Sequence, residues 1–130
     1  KQESAPSVTI WGTGKPRREF LHVDDMAEAC VFVMNLHVDQ YLDSVLPMQT
    51  HINVGSGEDC SIAELAKFIA DVVGFGGDIL FDTTKLDGAP RKLMDVSLLS
   101  QMGWSSQIAL SKGLESAVSW FVSTTDHREA

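Results

Sequence analysis

The sequence predicts a mixed α/β fold, because short β-rich segments alternate with helical ones in the order β-β-α-β-α-β-α-α. The 130 residues fit one domain or part of one. A hydrophobic fraction of 44% and a mean hydropathy of +0.01 are typical of a folded chain with its own core. The strands are few and short, so we expect part of the sheet to come from sequence outside this chain.

Two extended segments and an apolar helix are predicted first. Val8–Trp11 alternates and is rich in β-formers, and Arg18–Val23 follows it after a Gly-Pro turn. Asp24 or Asp25 is a suitable N-cap for a helix over Met26–Leu36. That helix is apolar on nearly every face, which predicts burial on both sides within something larger.

In the middle of the chain, the sequence predicts a loop, a strand and a helix with clear start and end signals. His37–Thr50 has no clean period and is expected to be a surface excursion with at most one helical turn, whereas His51–Val54 is a short apolar strand. Ser61 and Glu64 form a capping-box pattern that opens a helix, and Gly74 suits its end.

A strand and two helices complete the predicted order. Asp78–Phe81 has strand character. Asp95 can cap a short helix that continues through Met102, and Ser111 can cap a last helix that ends near Thr124.

The two terminal segments of the chain lead to separate predictions. The chain starts at Lys1 without methionine, and Lys1–Ser7 is a polar lead-in to the first strand. We expect the back end of a longer polypeptide, with a removed leader as the alternative. The tail Asp126–Ala130 is expected to fray.

Composition disfavours several classes of partner. Ten basic and 18 acidic residues give a net charge of −8, which repels phosphate backbones and argues against nucleic-acid binding. The apolar run with the greatest reach, Ala27–Met34, is far shorter than a membrane span. Cys30 and Cys60 lack CxxC spacing, so neither a zinc site nor a disulfide framework is expected. Reduced thiols of this kind are typical of the cytoplasm.

Two glycine motifs invite a phosphate-binding interpretation. Gly12-x-Gly14-Lys15 is followed by Pro16, whereas a phosphate loop needs Ser or Thr there and a helix, so a turn is favoured. Gly55-Ser56-Gly57 resembles a dinucleotide fingerprint, but the third glycine is replaced by Cys60 and two acidic residues intervene. A plain strand-to-helix connector is the favoured interpretation of that segment.

Histidine spacing gives no metal-binding or triad pattern. His22 and Asp24 share a strand face and form a candidate acid/base pair, with a structural histidine near a helix N-cap as the favoured alternative. The other three histidines show no ligand spacing, so no metal-binding residue is assigned.

Two adjacent basic pairs are the strongest candidate site. Arg17-Arg18 and Arg91-Lys92 each follow a turn, and together they hold four of the ten basic residues. Guanidinium groups on such loops suit bidentate contacts to phosphate oxygens, and Trp11 offers a flat face for a sugar or base. The alternative is two solvated turns beside a half-buried tryptophan.

Three stretches, Trp11–Ala29, His51–Asp59 and Phe81–Asp95, resemble the extended short-chain dehydrogenase/reductases that act on nucleotide sugars. The Arg-Glu-Phe-x-x-Val-Asp-Asp element is common to many of these enzymes. The Asp-Gly-x-Pro-Arg-Lys element is more selective. It resembles the branch that converts GDP-4-keto-6-deoxy-D-mannose by 3,5-epimerisation and NADPH-dependent 4-reduction. The resemblance covers about Val8–Phe121.

The resemblance implies that this chain is the C-terminal substrate-binding portion of a longer enzyme, over residues 1–130. Met26–Leu36 and Ile52–Val54 would pack on an upstream Rossmann domain that binds most of the NADPH. The catalytic and cofactor-binding residues would also lie upstream, so the chain alone is expected to be inactive. The whole enzyme is expected to be a cytoplasmic homodimer that acts on a GDP-sugar.

The substrate-binding residues that the resemblance implies are Trp11, Arg18, Asp87 and, less securely, Lys92. Leu86 stands where the family has proline, which puts the path of that loop in question. Two alternatives stay open: another nucleotide-sugar epimerase or dehydratase of this family, and a non-catalytic nucleotide-sugar-binding module.

Overall fold

The computed structural model describes residues 5–49 and 51–125 and assigns ten elements to them. The strands are β1 (Ser7–Trp11), β2 (Arg17–Glu19), β3 (Asp59–Ser61), β4 (Asp78–Asp82) and β5 (Arg91–Lys92). The helices are α1 (Val23–Met34), α2 (Val38–Ser44), α3 (Ile62–Val73), α4 (Ser97–Gln101) and α5 (Leu110–Thr125). These elements confirm a mixed α/β fold.

The described residues form two compact units. The first unit contains residues 5–18, 60–92 and 111–125, and the second contains residues 19–49, 51–59 and 93–110. The first unit carries two sets of paired strands, and the second is built around α1 and α4.

Parallel pairing organises the strands of the first unit. β1 pairs with β4 over its whole length, from Ser7 opposite Asp78 to Trp11 opposite Asp82. β2 pairs in parallel with β5, and β3, β2 and β5 form a three-stranded sheet in that order. Apolar side chains of β1, β4 and α3 line a cavity of about 320 Å³.

Helix α3 has the ends that its sequence predicts. The Ser61 hydroxyl accepts a hydrogen bond from the Glu64 N–H at 3.1 Å, and Glu64 Oε2 accepts from the Ser61 N–H at 2.8 Å. This reciprocal capping box satisfies donors that the first turn leaves open. Gly74 closes the helix at φ 70°, a left-handed conformation that glycine adopts without a steric penalty.

The second unit packs one face of α1 against α4 and the residues after it. Ala29 and Leu99 are fully buried, with Met102 and Trp104 beside them. Another face of α1 is exposed, with Val31 58% and Met34 84% accessible. Burial of this face would require sequence outside the chain, so burial on both sides within something larger stays a prediction.

The start of α1 differs from its prediction. The helix begins at Val23, and the His22 ring, not an aspartate, caps it by accepting a hydrogen bond from the Asp24 N–H at 3.2 Å. Asp25 is instead 1% exposed and accepts from the N–H groups of Gln107 and Ile108, both at 3.0 Å. These two hydrogen bonds compensate the burial of its carboxylate.

Several shorter elements were also misplaced. Residues 51–54 form no strand with any described neighbour; Ile52 and Val54 pack on the core, and Asn53 bonds to the Asp95 carbonyl. The predicted surface excursion contains the seven-residue helix α2, about two turns where one was allowed for. The two-residue strand β5 and the three-residue strand β3 were missed, because such short segments carry no periodic signal.

The caps of the last two helices need correction. α4 begins at Ser97 with Val96 as its N-cap, and the Asp95 carboxylate accepts a hydrogen bond from the Ser97 N–H at 3.0 Å. α5 begins at Leu110, so Ser111 lies inside it. The predicted frayed tail falls outside the described residues. Over the described ranges, no helix has the length and apolar character needed to cross a membrane.

Replacing the buried carboxylate tests its role in the second unit. Asp25→Asn keeps the size but turns an amide NH₂ toward one of the two backbone donors. We expect a loss of about 1–3 kcal/mol in the free energy of unfolding, measured by urea denaturation at neutral pH. Asp24→Asn is the control, because the Asp24 side chain is 78% exposed. Equal effects of the two substitutions would contradict this account.

Candidate anion-binding site

The strand pairing of the first unit brings two loops together. β1 and β4 are parallel, so the first loop (residues 12–16) and the second loop (residues 83–90) leave the same edge. The Gly12 N–H donates to the Asp82 carbonyl at 2.9 Å where the loops begin. The Arg17 N–H donates to the Pro90 carbonyl at 2.8 Å where they end. Each loop is therefore held at both ends.

Asp87 joins the two loops at their middle. Its Oδ1 accepts from the Thr13 N–H at 2.8 Å, and its Oδ2 accepts from the Thr13 hydroxyl at 2.6 Å. Gly12 has φ 87°, and a Cβ there would collide with the Asp87 carboxylate. Only glycine combines that backbone conformation with so close an approach.

These contacts favour the ionised form of Asp87. Hydrogen bonds from the Thr13 hydroxyl and the Thr13 N–H lower the pKa of the carboxyl from its ordinary 3.8 against a small desolvation effect, and Lys15 lowers it further. Each donor stabilises the negative charge more than it stabilises the neutral acid. Asp87 is therefore an anion that helps to neutralise the cations around it.

Arg18 is held against the second loop. Its Nη1 donates to the Arg17 carbonyl at 2.7 Å and to the Ala89 carbonyl at 2.8 Å. Arg18 pairs with Lys92 in the β2–β5 register. Partners in a parallel register share a sheet face, so these two cationic side chains project on the same side.

Arg17 makes different contacts from its neighbour. Its Nη1 lies 3.5 Å from Glu64 Oε2, on the capping residue of α3, and it pairs with Arg91 in the strand register. Adjacent residues on a strand point to opposite faces, and the partners of Arg17 and Arg18 differ accordingly. The local sheet thus separates the two arginines into different environments.

Trp11 ends β1 at the edge of the loops. It is 76% exposed rather than half-buried, and the Lys85 ammonium lies 5.6 Å from the centroid of its ring. That distance is within the range of a cation–π contact. A large exposed aromatic face beside flexible cations is suited to stacking against a ligand ring.

Positive charge is concentrated in this region of an acidic chain. Residues 15–18 and 85–92 contain six of the ten basic residues, although the net charge of the chain is −8. The six are Lys15, Arg17, Arg18, Lys85, Arg91 and Lys92. All belong to the first unit. The arrangement is suited to a compact anion rather than to an extended polyanion.

The four site residues expected from the sequence all lie in the first unit. Arg18 and Lys92 meet through the strand register, and Trp11 lies at the edge of the same loops. Asp87 contacts Thr13, which sequence reasoning missed, as it missed Lys85. Neither carried a signal, because both contacts join positions more than seventy residues apart. Direct contact of the four residues with a ligand stays a prediction.

The Gly55-Ser56-Gly57 segment has a structural role. Glu19 Oε1 accepts from the Gly57 N–H at 2.7 Å, and Glu19 Oε2 accepts from the Met94 N–H at 3.0 Å. A Cβ on Gly55 would collide with the same carboxylate. A carboxylate therefore occupies the place where a cofactor phosphate would have to approach the Gly57 amide.

Two further possibilities raised by the sequence were an acid/base pair at His22 and a metal site. His22 is the cap of α1, which supports the structural interpretation over an acid/base pair. Within residues 5–49 and 51–125, no three His, Cys, Asp or Glu side chains are grouped to hold a metal ion.

Comparison with known proteins shows which family the chain resembles. Residues 1–55 match the model of the NAD dependent epimerase/dehydratase family. The solved GDP-mannoheptose C4 reductase from Campylobacter jejuni with NADP bound is 40% identical at a TM-score of 0.75. That match covers 88% of this chain and 34% of the reductase. Over the part that it matches, the chain is similar in sequence and fold to the extended short-chain dehydrogenase/reductases of the epimerase/dehydratase family.

Within that family, the chain is similar to GDP-L-fucose synthases. It is 52% identical to the GDP-L-fucose synthase of Escherichia coli over 95% of this chain and 39% of that enzyme. It is 44% identical to GDP-L-fucose synthase 1 of Arabidopsis thaliana over 98% of this chain and 37% of that enzyme. The chain thus spans little more than a third of the length of these relatives.

Removal of the Thr13 hydroxyl tests the loop contact. In Thr13→Val, we expect the pKa of Asp87 to rise toward 3.8, because the donor with the largest effect is lost. A carboxyl ¹³C NMR titration measures this. Because its pKa is lowered in the folded protein, ionised Asp87 stabilises the fold at pH values above its unfolded pKa. This stabilisation is lost as the pH falls through its folded pKa.

Asp95 provides the internal control for that titration. Its pKa is also lowered, by the hydroxyl and then the N–H of Ser97, so it should be unchanged in Thr13→Val. An unchanged pKa of Asp87, or an equal change at Asp95, would show that Thr13 does not hold the carboxylate.

Proposed function

We propose that this chain is the GDP-sugar-binding part of a longer GDP-L-fucose synthase. The whole enzyme would convert GDP-4-keto-6-deoxy-D-mannose to GDP-L-fucose by 3,5-epimerisation and NADPH-dependent 4-reduction. The observation that carries the proposal is the pairing of Arg18 with Lys92 on one sheet face, beside exposed Trp11. The names of the E. coli and Arabidopsis relatives support the choice of reaction.

The diphosphate of the ligand would lie between the paired cations. Like charges side by side on a sheet face are destabilising, and an anion between them removes that cost. Both described hydrogen bonds of the Arg18 guanidinium use Nη1, so Nε and Nη2 retain donors for phosphate oxygens. Lys92 would add a second, more mobile positive charge.

Trp11 and Asp87 would orient the rest of the ligand. The exposed indole of Trp11 offers a face for a ring to stack on. A carboxylate has about four acceptor positions, and Thr13 uses two of those on Asp87. The others would accept hydrogen bonds from sugar hydroxyls. Binding energy from these contacts would position the reacting sugar, which lowers the barrier without acting on the reacting atoms.

The Gly55-Ser56-Gly57 segment does not fit the NADPH phosphates. The one glycine segment that resembles a cofactor loop has its Gly57 amide bonded to Glu19. We therefore place most of the NADPH site, and the catalytic groups, in sequence upstream of this chain. The NADP-bound Campylobacter reductase supports the choice of NADP(H) as the cofactor. The whole enzyme is proposed to be a cytoplasmic homodimer, as the family resemblance implies.

A second GDP-sugar reaction is favoured by one group of relatives. A GDP-6-OMe-4-keto-L-xylo-heptose reductase from Campylobacter jejuni matches at 38% identity and a TM-score of 0.80. The paired cations fit any GDP-sugar and do not separate the two reactions. The full-length enzyme should therefore be assayed with both substrates, the fucose precursor and the heptose analogue, and the faster turnover identifies the reaction. A non-catalytic binding module would turn over neither.

The chain alone is predicted to be inactive. Without an upstream cofactor site, the 130-residue chain should show no saturable NADPH binding and no turnover of the keto sugar. Titration of NADPH fluorescence and product analysis measure the two properties. The full-length enzyme, assayed in parallel, should show both. Cofactor binding by the chain alone would overturn the proposed division of labour.

Substitution of Arg18 tests the diphosphate site. In the full-length enzyme, Arg18→Ala should weaken GDP-sugar binding by about 1.5–3 kcal/mol, the range for hydrogen bonds to charged groups. Arg18→Lys should recover part of this, because an ammonium cannot reproduce the planar fork. Calorimetry with GDP-mannose measures both. NADPH affinity should be nearly unchanged.

Arg17→Ala is the matched control, because the Arg17 side chain contacts Glu64 on α3 and adjacent strand residues point to opposite faces. It should matter much less than Arg18→Ala. A larger effect at Arg17 would place the phosphate on the other sheet face, and no effect at either would remove the anion site from this turn.

A further inference from the structure

The geometry points to Lys85 as a further ligand-binding residue, one that changes partner when the GDP-sugar binds. In the free protein its ammonium covers the ring of Trp11. On binding, the ligand ring takes that place and the ammonium moves to the diphosphate. This inference rests on the proposed function, because it requires a ligand with both a ring and a phosphate group.

The contact between Lys85 and Trp11 can be replaced by a contact to a ligand at little cost in free energy. The indole is 76% exposed, and the ammonium lies 5.6 Å from its centroid. A cation–π contact at an exposed site is weak, whereas a charge-assisted hydrogen bond to phosphate is among the stronger polar contacts. An arriving diphosphate therefore draws the ammonium away from the ring, and the uncovered indole face is then free for stacking.

The backbone at Lys85 is fixed while its side chain is free to move. The Lys85 N–H donates to the Asp82 carbonyl at 3.2 Å, at the carboxyl end of β4. Two residues later, Asp87 is anchored to Thr13. The anchors hold the Cα position of Lys85 near the site, and the four-carbon stem allows the ammonium to reorient.

The position of Lys85 distinguishes it from the paired cations. Arg18 and Lys92 are set by a strand register, whereas Lys85 lies in the second loop, beside the stacking face. Lys85 therefore lies between the positions of the ligand ring and of the diphosphate. Loss of its charge should weaken the binding of a ligand that has a diphosphate and leave the contact of the ring with Trp11 in place. A residue with only a structural role would affect both kinds of ligand equally.

The test compares two ligands and four proteins. Calorimetry on the full-length enzyme measures the Kd of GDP-mannose and of guanosine for the unmodified protein and for Lys85→Met, Arg18→Ala and Lys67→Met. Lys85→Met keeps the apolar stem and removes the charge. Lys67→Met is the matched control, an exposed lysine within helix α3.

We expect Lys85→Met to weaken GDP-mannose binding by about tenfold at low salt, the loss of one charge-assisted contact. The difference should shrink as added salt screens the charge. Guanosine binding should be unchanged or tighter, because the ring no longer competes with an ammonium. Lys67→Met should resemble the unmodified protein.

Unchanged or tighter GDP-mannose binding in Lys85→Met, with Arg18→Ala still weakened, would overturn this inference and leave the proposed function intact. An equal loss for GDP-mannose and guanosine would also overturn it, because that pattern indicates a disturbed loop. Failure of the unmodified enzyme to bind GDP-mannose would overturn both.

Discussion

The Asp87 carboxylate accepts the two hydrogens that Thr13 can donate, and the shape of the candidate site depends on this contact. It holds the second loop on the first, between the parallel strand pairs that fix the ends of both. Gly12 allows the approach, because a side chain there would meet the carboxylate. The Arg18 bond to the Ala89 carbonyl and the Lys85–Trp11 contact add to the Thr13–Asp87 contact, which joins the two loops at their middle.

The same contact reduces the repulsion between the cations of the site. Six cationic side chains lie on the two loops and on strands β2 and β5, and the strand register places Arg18 and Lys92 on one face. The ionised Asp87 and the Arg17–Glu64 contact offset part of this positive charge. What remains is a local cationic site on a chain of net charge −8. That contrast favours a small anionic metabolite over a nucleic acid, whose many phosphates would meet the acidic surroundings.

How much could be predicted from the sequence depended on the range of each interaction. Helix α3 was predicted at both ends, because Ser61, Glu64 and Gly74 act within a few residues of the backbone groups that they satisfy. The role of Asp25 was not predictable in this way, since its partners are more than eighty residues distant. The Thr13–Asp87 contact spans 74 positions and was missed for the same reason. The basic pairs were visible as composition, but only the strand register showed which members share a face.

The most direct test is a crystal structure of the full-length enzyme with GDP-mannose bound. The account predicts the diphosphate between Arg18 and Lys92, a ligand ring on the Trp11 indole, and an intact Thr13–Asp87 contact. A diphosphate at the Gly55-Ser56-Gly57 segment would contradict it, and so would a nucleotide that leaves Trp11 and both loops uncontacted.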